Sequence, residues 1–244
     1  MRSVLLQRSS YFKQTNNLLY SYLLSIPLLL LYEILIIVSQ PGETSGVRIS
    51  VDIWFKSLFM VTGYNPLHIT LLVAFTAGMA ILYQYRNLIS SLKGRYFFYM
   101  LAESSLYAVV TAILISIFLG SILLMKTNAP DSGFSFLQML ALSLGAGLYE
   151  ELFFRVILIS LLFLLFKQFT NSKNSAYLIS AIMAALLFSS VHYIGEFGDL
   201  FTIESFLFRF IFGLALNAIY VLRGFGVAAW THAIYDILVL LNHF

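Results

Sequence analysis

Long apolar runs separated by short polar connections dominate the hydrophobic pattern of this chain. A helix needs roughly 20 consecutive apolar residues to cross a hydrocarbon core of about 30 Å. Seven runs approach or exceed that length, at residues 18–38, 67–85, 96–125, 134–166, 176–193, 206–222 and 225–241. They lack the alternating segments of about ten residues that are typical of membrane β-strands. The pattern predicts an all-α, polytopic membrane helix bundle with about seven or eight transmembrane helices.

The spacing of the runs adds three expectations. The connection after the first run mixes apolar and charged residues, which favours an amphipathic interfacial helix around residues 51–61. The run at 134–166 would extend about 50 Å at 1.5 Å per residue, so we expect a kink near its glycines at 145 and 147. The first run follows a basic start but exceeds a normal signal core, and we interpret it as a retained helix. The connections are too short for a second fold, which predicts one transmembrane domain over residues 1–244.

Composition and charge agree with a membrane protein. Hydrophobic residues make up 60% of the chain and charged residues only 10%, against roughly 25% charged in soluble domains. The absence of cysteine excludes a disulfide framework and a thiol nucleophile. Nine of the fourteen Lys and Arg residues lie on one side of the predicted bundle and three on the other, which favours a cytoplasmic N-terminus in the cell membrane. No dense basic patch suggests a nucleic-acid partner.

Three charged residues interrupt the segment SLGAGLYEELFFRVILISLLFLLF at residues 143–166. A charge at the centre of a membrane helix costs roughly 2.5–3.5 kcal/mol, so such residues usually face the protein interior. Glu151 and Arg155 are four residues apart, in the acid-before-base order that favours pairing on one helix face. Glu150 is rotated about 100° from Glu151 and points toward another helix. Glu150 is therefore the charge that requires a functional explanation.

Two histidines in later runs are candidate partners for Glu150. FSSVHY places Phe188 and His192 on one helix face, and WTHAIYD does the same for His232 and Asp236. A single membrane histidine more commonly makes a hydrogen bond between helices, but two of them beside an unpaired glutamate favour chemistry. A shielded carboxylate can act as a general base that activates water, with one imidazole to orient the water and another to stabilise an oxyanion.

The same side chains permit a second design. Glu150, His192 and His232 could be three ligands of a zinc ion that carries water in its fourth position. Residue types and spacing do not choose between a metal-free and a zinc-dependent hydrolase.

These residues resemble the motifs of the CAAX prenyl endopeptidase and bacteriocin-processing family of intramembrane proteases, also called the CPBP or Abi family. Its motifs are two glutamates, three residues and an arginine; a phenylalanine, three residues and a histidine; and a histidine, three residues and an asparagine or aspartate. In this chain they are Glu150 and Glu151 with Arg155, Phe188 with His192, and His232 with Asp236. Each motif is weak alone, but their order on consecutive apolar runs is specific, and it marks residues 134–244 as the catalytic core.

The resemblance implies a helical bundle with a site sunk below the membrane surface. It implies that Glu150 and His192 activate water without a metal, and that His232 and Asp236 stabilise the oxyanion. Glu151, Arg155 and Phe188 have supporting roles. An ionised Asp236 cannot donate a hydrogen bond, so we expect it to orient His232 instead.

The sequence therefore predicts a CAAX-type intramembrane glutamic endopeptidase, with a zinc metalloprotease as the alternative enzyme. Its expected partners are membrane lipids and a peptide or lipid-anchored protein substrate. The alternative outside catalysis is a membrane immunity or partner-binding protein of the same fold. A proton-coupled transporter is a third hypothesis, which the lack of an internal repeat disfavours.

Overall fold

A computed structural model describes residues 11–40, 47–60, 63–118, 134–195 and 198–241. The regular structure within these ranges is entirely helical, which confirms the predicted all-α class. The helices are α1 (Leu18–Ser39), α2 (Ser50–Met60), α3 (Pro66–Gln84), α4 (Arg86–Ile89), α5 (Gly94–Phe118), α6 (Phe136–Gly145), π1 (Ala146–Glu150), π2 (Leu152–Leu158), α7 (Ile159–Phe166), α8 (Lys173–Val191), α9 (Ile203–Arg223) and α10 (Phe225–Leu241). The predicted third run continued to residue 125, and its end lies outside the described residues.

Five of the described helices, namely α1, α3, α5, α8 and α9, are long and apolar enough to cross a membrane. α10 is a shorter apolar helix of 17 residues. The elements α6, π1, π2 and α7 follow one another directly and correspond to the predicted run at 134–166. The protein is thus a polytopic helical membrane protein, and each predicted run has a helix in the structure.

Polar side chains at the helix starts explain where several helices begin. The first turn of a helix leaves backbone N–H groups without partners, and a preceding Ser, Thr, Asn or Asp can accept from one of them. Asn17 accepts from the N–H of Tyr20 at the start of α1. Ser135 and Gln138 form a reciprocal capping box at the start of α6. Each cap lies at a polar connection between apolar runs, so the sequence defines the helix starts locally.

Helix α10 lies at the centre of the bundle, where it contacts α1, α5, α6, α9 and π1. Its small residues Ala228, Ala229 and Ala233 are fully buried. They allow the backbones of neighbouring helices to approach closely. Gly147 of π1 packs directly against this part of α10, because a Cβ atom on it would lie 2.5 Å from the carbonyl oxygen of Ala229. The close approach brings His232 of α10 beside the acidic pair that follows Gly147.

The segment around the acidic pair is wound as a π-helix rather than an ordinary α-helix. α6 ends at Gly145, and π1 and π2 then flank Glu151. A π turn contains more residues than an α turn because its hydrogen bonds run from residue i to i+5, and such turns are frequent at functional sites. The predicted kink near Gly145 and Gly147 thus corresponds to a change of helical winding at the same position.

Helix α2 is present where an interfacial helix was predicted, but its charged residues are buried in the bundle. Asp52 is 0% exposed and Lys56 is 5% exposed. Lys56 Nζ lies 2.7 Å from Glu33 of α1, and Arg48 contacts both Glu33 and Asp52. The two acids and two bases balance each other, which reduces the cost of burying them. The four charges fasten α2 to α1.

Other polar residues within the predicted spans also make contacts between helices. Arg223 pairs with Glu103 of α5, which additionally accepts from Tyr11 and Tyr107. Asn217 of α9 donates to the carbonyl of Ala181 in α8 over 2.9 Å, as expected of an amide that joins two membrane helices. These residues stabilise the bundle away from the acidic pair.

Candidate active site

Glu151 and Arg155 form the buried ion pair that their spacing predicted. Arg155 Nε lies 3.0 Å from Glu151 Oε2, and the two side chains are 1% and 0% exposed. The guanidinium also lies over the ring of Phe188, 4.6 Å from its centroid, and donates to the carbonyl of Gly213. Arg155 therefore neutralises Glu151 and fixes its position against α8 and α9.

Glu150 lies outside this ion pair and faces the two predicted histidines. Its Oε2 atom is 3.9 Å from His192 Nε2 and 4.0 Å from His232 Nε2. These separations are too long for direct hydrogen bonds, which require 2.7–3.2 Å. The same oxygen is buried and has no hydrogen-bond partner among the described residues. The structure thus places Glu150, His192 and His232 around a common gap, with about 4 Å between Glu150 Oε2 and each histidine nitrogen.

His192 is held by the helix that carries it. Its Nδ1 lies 2.7 Å from the carbonyl oxygen of Phe188, one turn earlier. A carbonyl can only accept, so Nδ1 must carry the proton of a neutral ring, and Nε2 then has a free lone pair. That lone pair faces Glu150. The Phe188 ring packs edge-on against His192 and also contacts His232, with centroid distances of 5.0 and 5.8 Å.

His232 is oriented differently from the expectation. Its Nδ1 lies 2.8 Å from Glu151 Oε1, whereas Asp236 Oδ2 is 3.6 Å from Nε2. Glu151 rather than Asp236 therefore fixes this ring. The sequence predicted only the pairing of Glu151 with Arg155. The spacing of residues along one helix does not show that the second carboxylate oxygen of Glu151 contacts a different helix. Asp236 lies on the same side as Glu150 and lines the same cavity.

The site residues face a cavity of about 280 Å³. Its polar lining comprises Glu150, His192, Arg209, His232, Tyr235 and Asp236, and the remaining lining is apolar. Such a volume holds only about nine waters at 30 Å³ each, so the lining groups surround a small space. All four residues predicted to be catalytic share this cavity, whereas Glu151 and Arg155 lie behind it.

Arg209 is a cavity residue that the sequence did not identify. Its position in the first turn of the predicted run at 206–222 is typical of an arginine that extends toward the membrane surface. In the structure it lines the cavity and binds Asp199, Tyr193 and Ser205. Asp199 also donates its backbone N–H to the carbonyl of His192 over 2.9 Å. Arg209 therefore fixes the loop that follows His192. No local pattern in the sequence indicates this contact between Arg209 and the loop.

The distances also bear on the zinc alternative. A tetrahedral zinc with nitrogen and oxygen ligands at 2.0–2.1 Å requires ligand atoms about 3.4 Å apart. The separations of 3.9 and 4.0 Å between Glu150 and the two Nε2 atoms are wider. Within the described part of the chain, no three His, Asp or Glu side chains are grouped as metal ligands. The separations are therefore wider than those of a closed tetrahedral zinc site.

Fold and site together define a polytopic membrane protein in which a buried carboxylate faces two imidazoles across a small cavity, a constellation suited to general-base chemistry. Residues 132–238 match the family model of Type II CAAX prenyl endopeptidase Rce1-like proteins. The matched region contains all three motifs, which confirms the resemblance to the CAAX protease family. No curated protein and no solved structure matches the chain.

Proposed function

We propose that this protein is an intramembrane endopeptidase in which Glu150 and His192 activate a water molecule. The proposal is carried by the unpartnered Glu150 Oε2, which lies 3.9 and 4.0 Å from two histidine nitrogens. A water bound in this space by hydrogen bonds of about 2.8 Å to these groups is the proposed nucleophile. The family match supports a CAAX-type protease as the class of enzyme.

The proposed reaction follows from the orientation of these groups. Glu150 takes a proton from the water while His192 Nε2 accepts its second hydrogen and aims the oxygen at the scissile carbonyl. The carbonyl electron pair moves to oxygen, and His232 faces this charge through Nε2. When the tetrahedral intermediate collapses, Glu150 returns its proton to the departing amine. Glu151 holds His232 throughout through Nδ1.

The substrate is proposed to be a peptide or a lipid-anchored protein. A second cavity of about 670 Å³, larger and mainly apolar, lies between α1, α3 and the segment that carries Glu150. Its volume is within the range of about 300–1,000 Å³ that is typical of small-molecule sites, and it can hold a hydrocarbon chain. Cleavage of matched peptides with and without a prenyl group distinguishes the two substrate types.

Replacement of Glu150 by Gln tests the proposed function directly. We expect E150Q to lower the cleavage rate of a fluorogenic peptide by about 10²–10⁴-fold, because it removes the general base. Glu204 is exposed at the start of α9, and E204Q is the matched control that keeps full activity. Mass spectrometry of the products identifies the cleaved bond. Undiminished cleavage by E150Q would refute the proposal.

Two further measurements separate the remaining alternatives. A zinc enzyme, with Glu150, His192 and His232 as ligands, would contain stoichiometric metal and would lose activity reversibly on chelation; we propose that neither occurs. A non-catalytic immunity or partner-binding protein would retain its cellular phenotype in a double variant of Glu150 and His192. A protease would lose both phenotype and cleavage.

A further inference from the structure

The proposed hydrolysis calls for two hydrogen-bond donors to the oxyanion, and only one of them has been assigned to a residue. The assignment of the second donor rests on the proposed function. Pairs of hydrogen-bond donors commonly stabilise the negative charge that develops on the carbonyl oxygen. Asparagine at position 236 would offer an N–H donor. Aspartate, which this chain has, is acceptor-only when ionised. The third motif therefore supplies His232 as a donor and lacks the second one.

His232 can fill only one of the two positions. Its Nδ1 donates to Glu151, so Nε2 carries a proton only when the ring is an imidazolium. The carboxylates of Glu150 and Asp236 lie 4.0 and 3.6 Å from Nε2 and favour that charged form. An imidazolium Nε2–H is one donor toward the cavity.

Tyr235 lies next to this donor on the same face of α10. It follows His232 by three residues, a spacing at which helix side chains are neighbours. Both rings pack on Phe212, with centroid distances of 5.3 Å for His232 and 4.5 Å for Tyr235. Tyr235 is only 6% exposed and lines the catalytic cavity. Phe208 packs on its ring as well, which restricts its orientation.

The hydroxyl of Tyr235 is available for a ligand. The Tyr235 hydroxyl makes no hydrogen bond to another described side chain, and the residue lines the cavity. The other potential donor in the cavity, Arg209, is already bound to Asp199, Tyr193 and Ser205. A hydroxyl group in an apolar surrounding is stabilised by any hydrogen bond that it can make. The Tyr235 hydroxyl would therefore donate to an acceptor that enters the cavity.

We propose that the Tyr235 hydroxyl is the second oxyanion donor of this protease and takes the position that an amide at residue 236 would occupy. The water oxygen bonds to the carbonyl carbon, one water proton passes to Glu150, and the π-electron pair moves to the carbonyl oxygen. Tyr235 and His232 donate hydrogen bonds to that oxygen and keep their protons. The C–N bond then breaks, and the proton on Glu150 goes to the amine.

Tyr235→Phe tests this assignment while preserving the ring. We expect kcat to fall by about 10²–10³-fold, the usual effect of removing one oxyanion donor, with KM within about twofold. Tyr177→Phe is the matched control, since Tyr177 of α8 is also a tyrosine whose hydroxyl has no partner among the described residues and lies outside the cavity. It should leave kcat unchanged.

Asp236→Asn provides the rescue that a purely structural role of Tyr235 would not show. An amide at residue 236 supplies an N–H donor, so in the D236N background the Y235F replacement should cost less than about tenfold. Equal loss in both backgrounds, or full activity of Y235F, would overturn the inference. If the parent enzyme cleaves no peptide, the proposed function itself fails, which is a distinct outcome.

A binding measurement covers the case in which Y235F folds poorly. A peptide phosphinate imitates the tetrahedral intermediate and places an anionic oxygen where the carbonyl oxygen would be. In folded, detergent-solubilised protein, Y235F should weaken phosphinate binding by at least about tenfold and leave binding of the uncleaved peptide to the E150Q background unchanged. Equal affinity of the phosphinate for both proteins contradicts the assignment.

Discussion

Glu151 contacts both Arg155 and His232, and these two contacts have different consequences. One oxygen lies 3.0 Å from Arg155 Nε in an ion pair, and the other accepts a hydrogen bond from His232 Nδ1 over 2.8 Å. Glu150, its neighbour in the sequence, has an unpartnered oxygen that faces the cavity. Two adjacent glutamates are therefore divided by their surroundings into one that stabilises the bundle and one that is available for reaction.

Replacing each glutamate by glutamine should separate stability from activity. E151Q leaves the 1% exposed Arg155 without its counter-ion, and breaking a buried pair in this way costs about 3–5 kcal/mol. We expect E151Q to lower the thermal unfolding midpoint in detergent and E150Q to leave it unchanged, although both lose cleavage. Circular dichroism during heating measures the midpoints. Equal midpoints for the two variants would contradict the division of roles.

At the scale of elements, the site depends on how closely π1 packs against α10. Gly147 lies three residues before Glu150, and Ala229 and Ala233 flank His232 in the facing helix. The backbone approach of these elements sets the distance between Glu150 and the second imidazole. Helix contact, rather than the motif spacing alone, therefore determines the width of the space in which the water is proposed to bind.

Gly147→Ala should disrupt this packing. A Cβ atom at residue 147 would lie 2.5 Å from the carbonyl oxygen of Ala229 and 2.8 Å from the backbone nitrogen of Ala233. Backbone atoms cannot rotate away, so the two helices must separate. A displacement of about 1 Å can cost about 10²-fold in rate, and we expect G147A to lose about that much in kcat/KM.

Gly94→Ala is the control for this prediction. Gly94 begins α5, and a Cβ atom there would meet nothing within 4 Å. The peptide cleavage assay should therefore show full activity for G94A. If G147A is as active as G94A, the spacing between π1 and α10 does not control the site.

Local patterns in the sequence predict most of the helices and part of the site. Hydrophobic run length was sufficient for the helices because the membrane requires continuous apolar segments. The pair of Glu151 and Arg155 was predictable because both lie on one turn of the same segment. The contact of Glu151 with His232, 81 residues away, and the burial of Asp52 and Lys56 against Glu33 were not, since these depend on which helices become neighbours.

At the scale of the whole molecule, the predicted membrane orientation depends on the distribution of Lys and Arg. Arg48 and Lys56 are two of the three basic residues assigned to the outer side. Both are paired with Glu33 and Asp52, so they contribute little free positive charge to that side. Arg223, one of the nine basic residues on the other side, is likewise paired with Glu103, so the predicted cytoplasmic N-terminus rests on the count of Lys and Arg itself.

Single cysteines can test this orientation because the natural chain has none. Leu200 is 83% exposed in the loop after His192, and Ser91 is exposed in the connection after α4. With the N-terminus inside, a membrane-impermeant maleimide should label Leu200→Cys in intact cells, whereas Ser91→Cys should react only after lysis. The loop of Leu200 contains Asp199, which holds Arg209 at the cavity, so this labelling also identifies the membrane side nearest that loop. The reverse labelling pattern would place the loop in the cytoplasm and overturn the charge-based orientation.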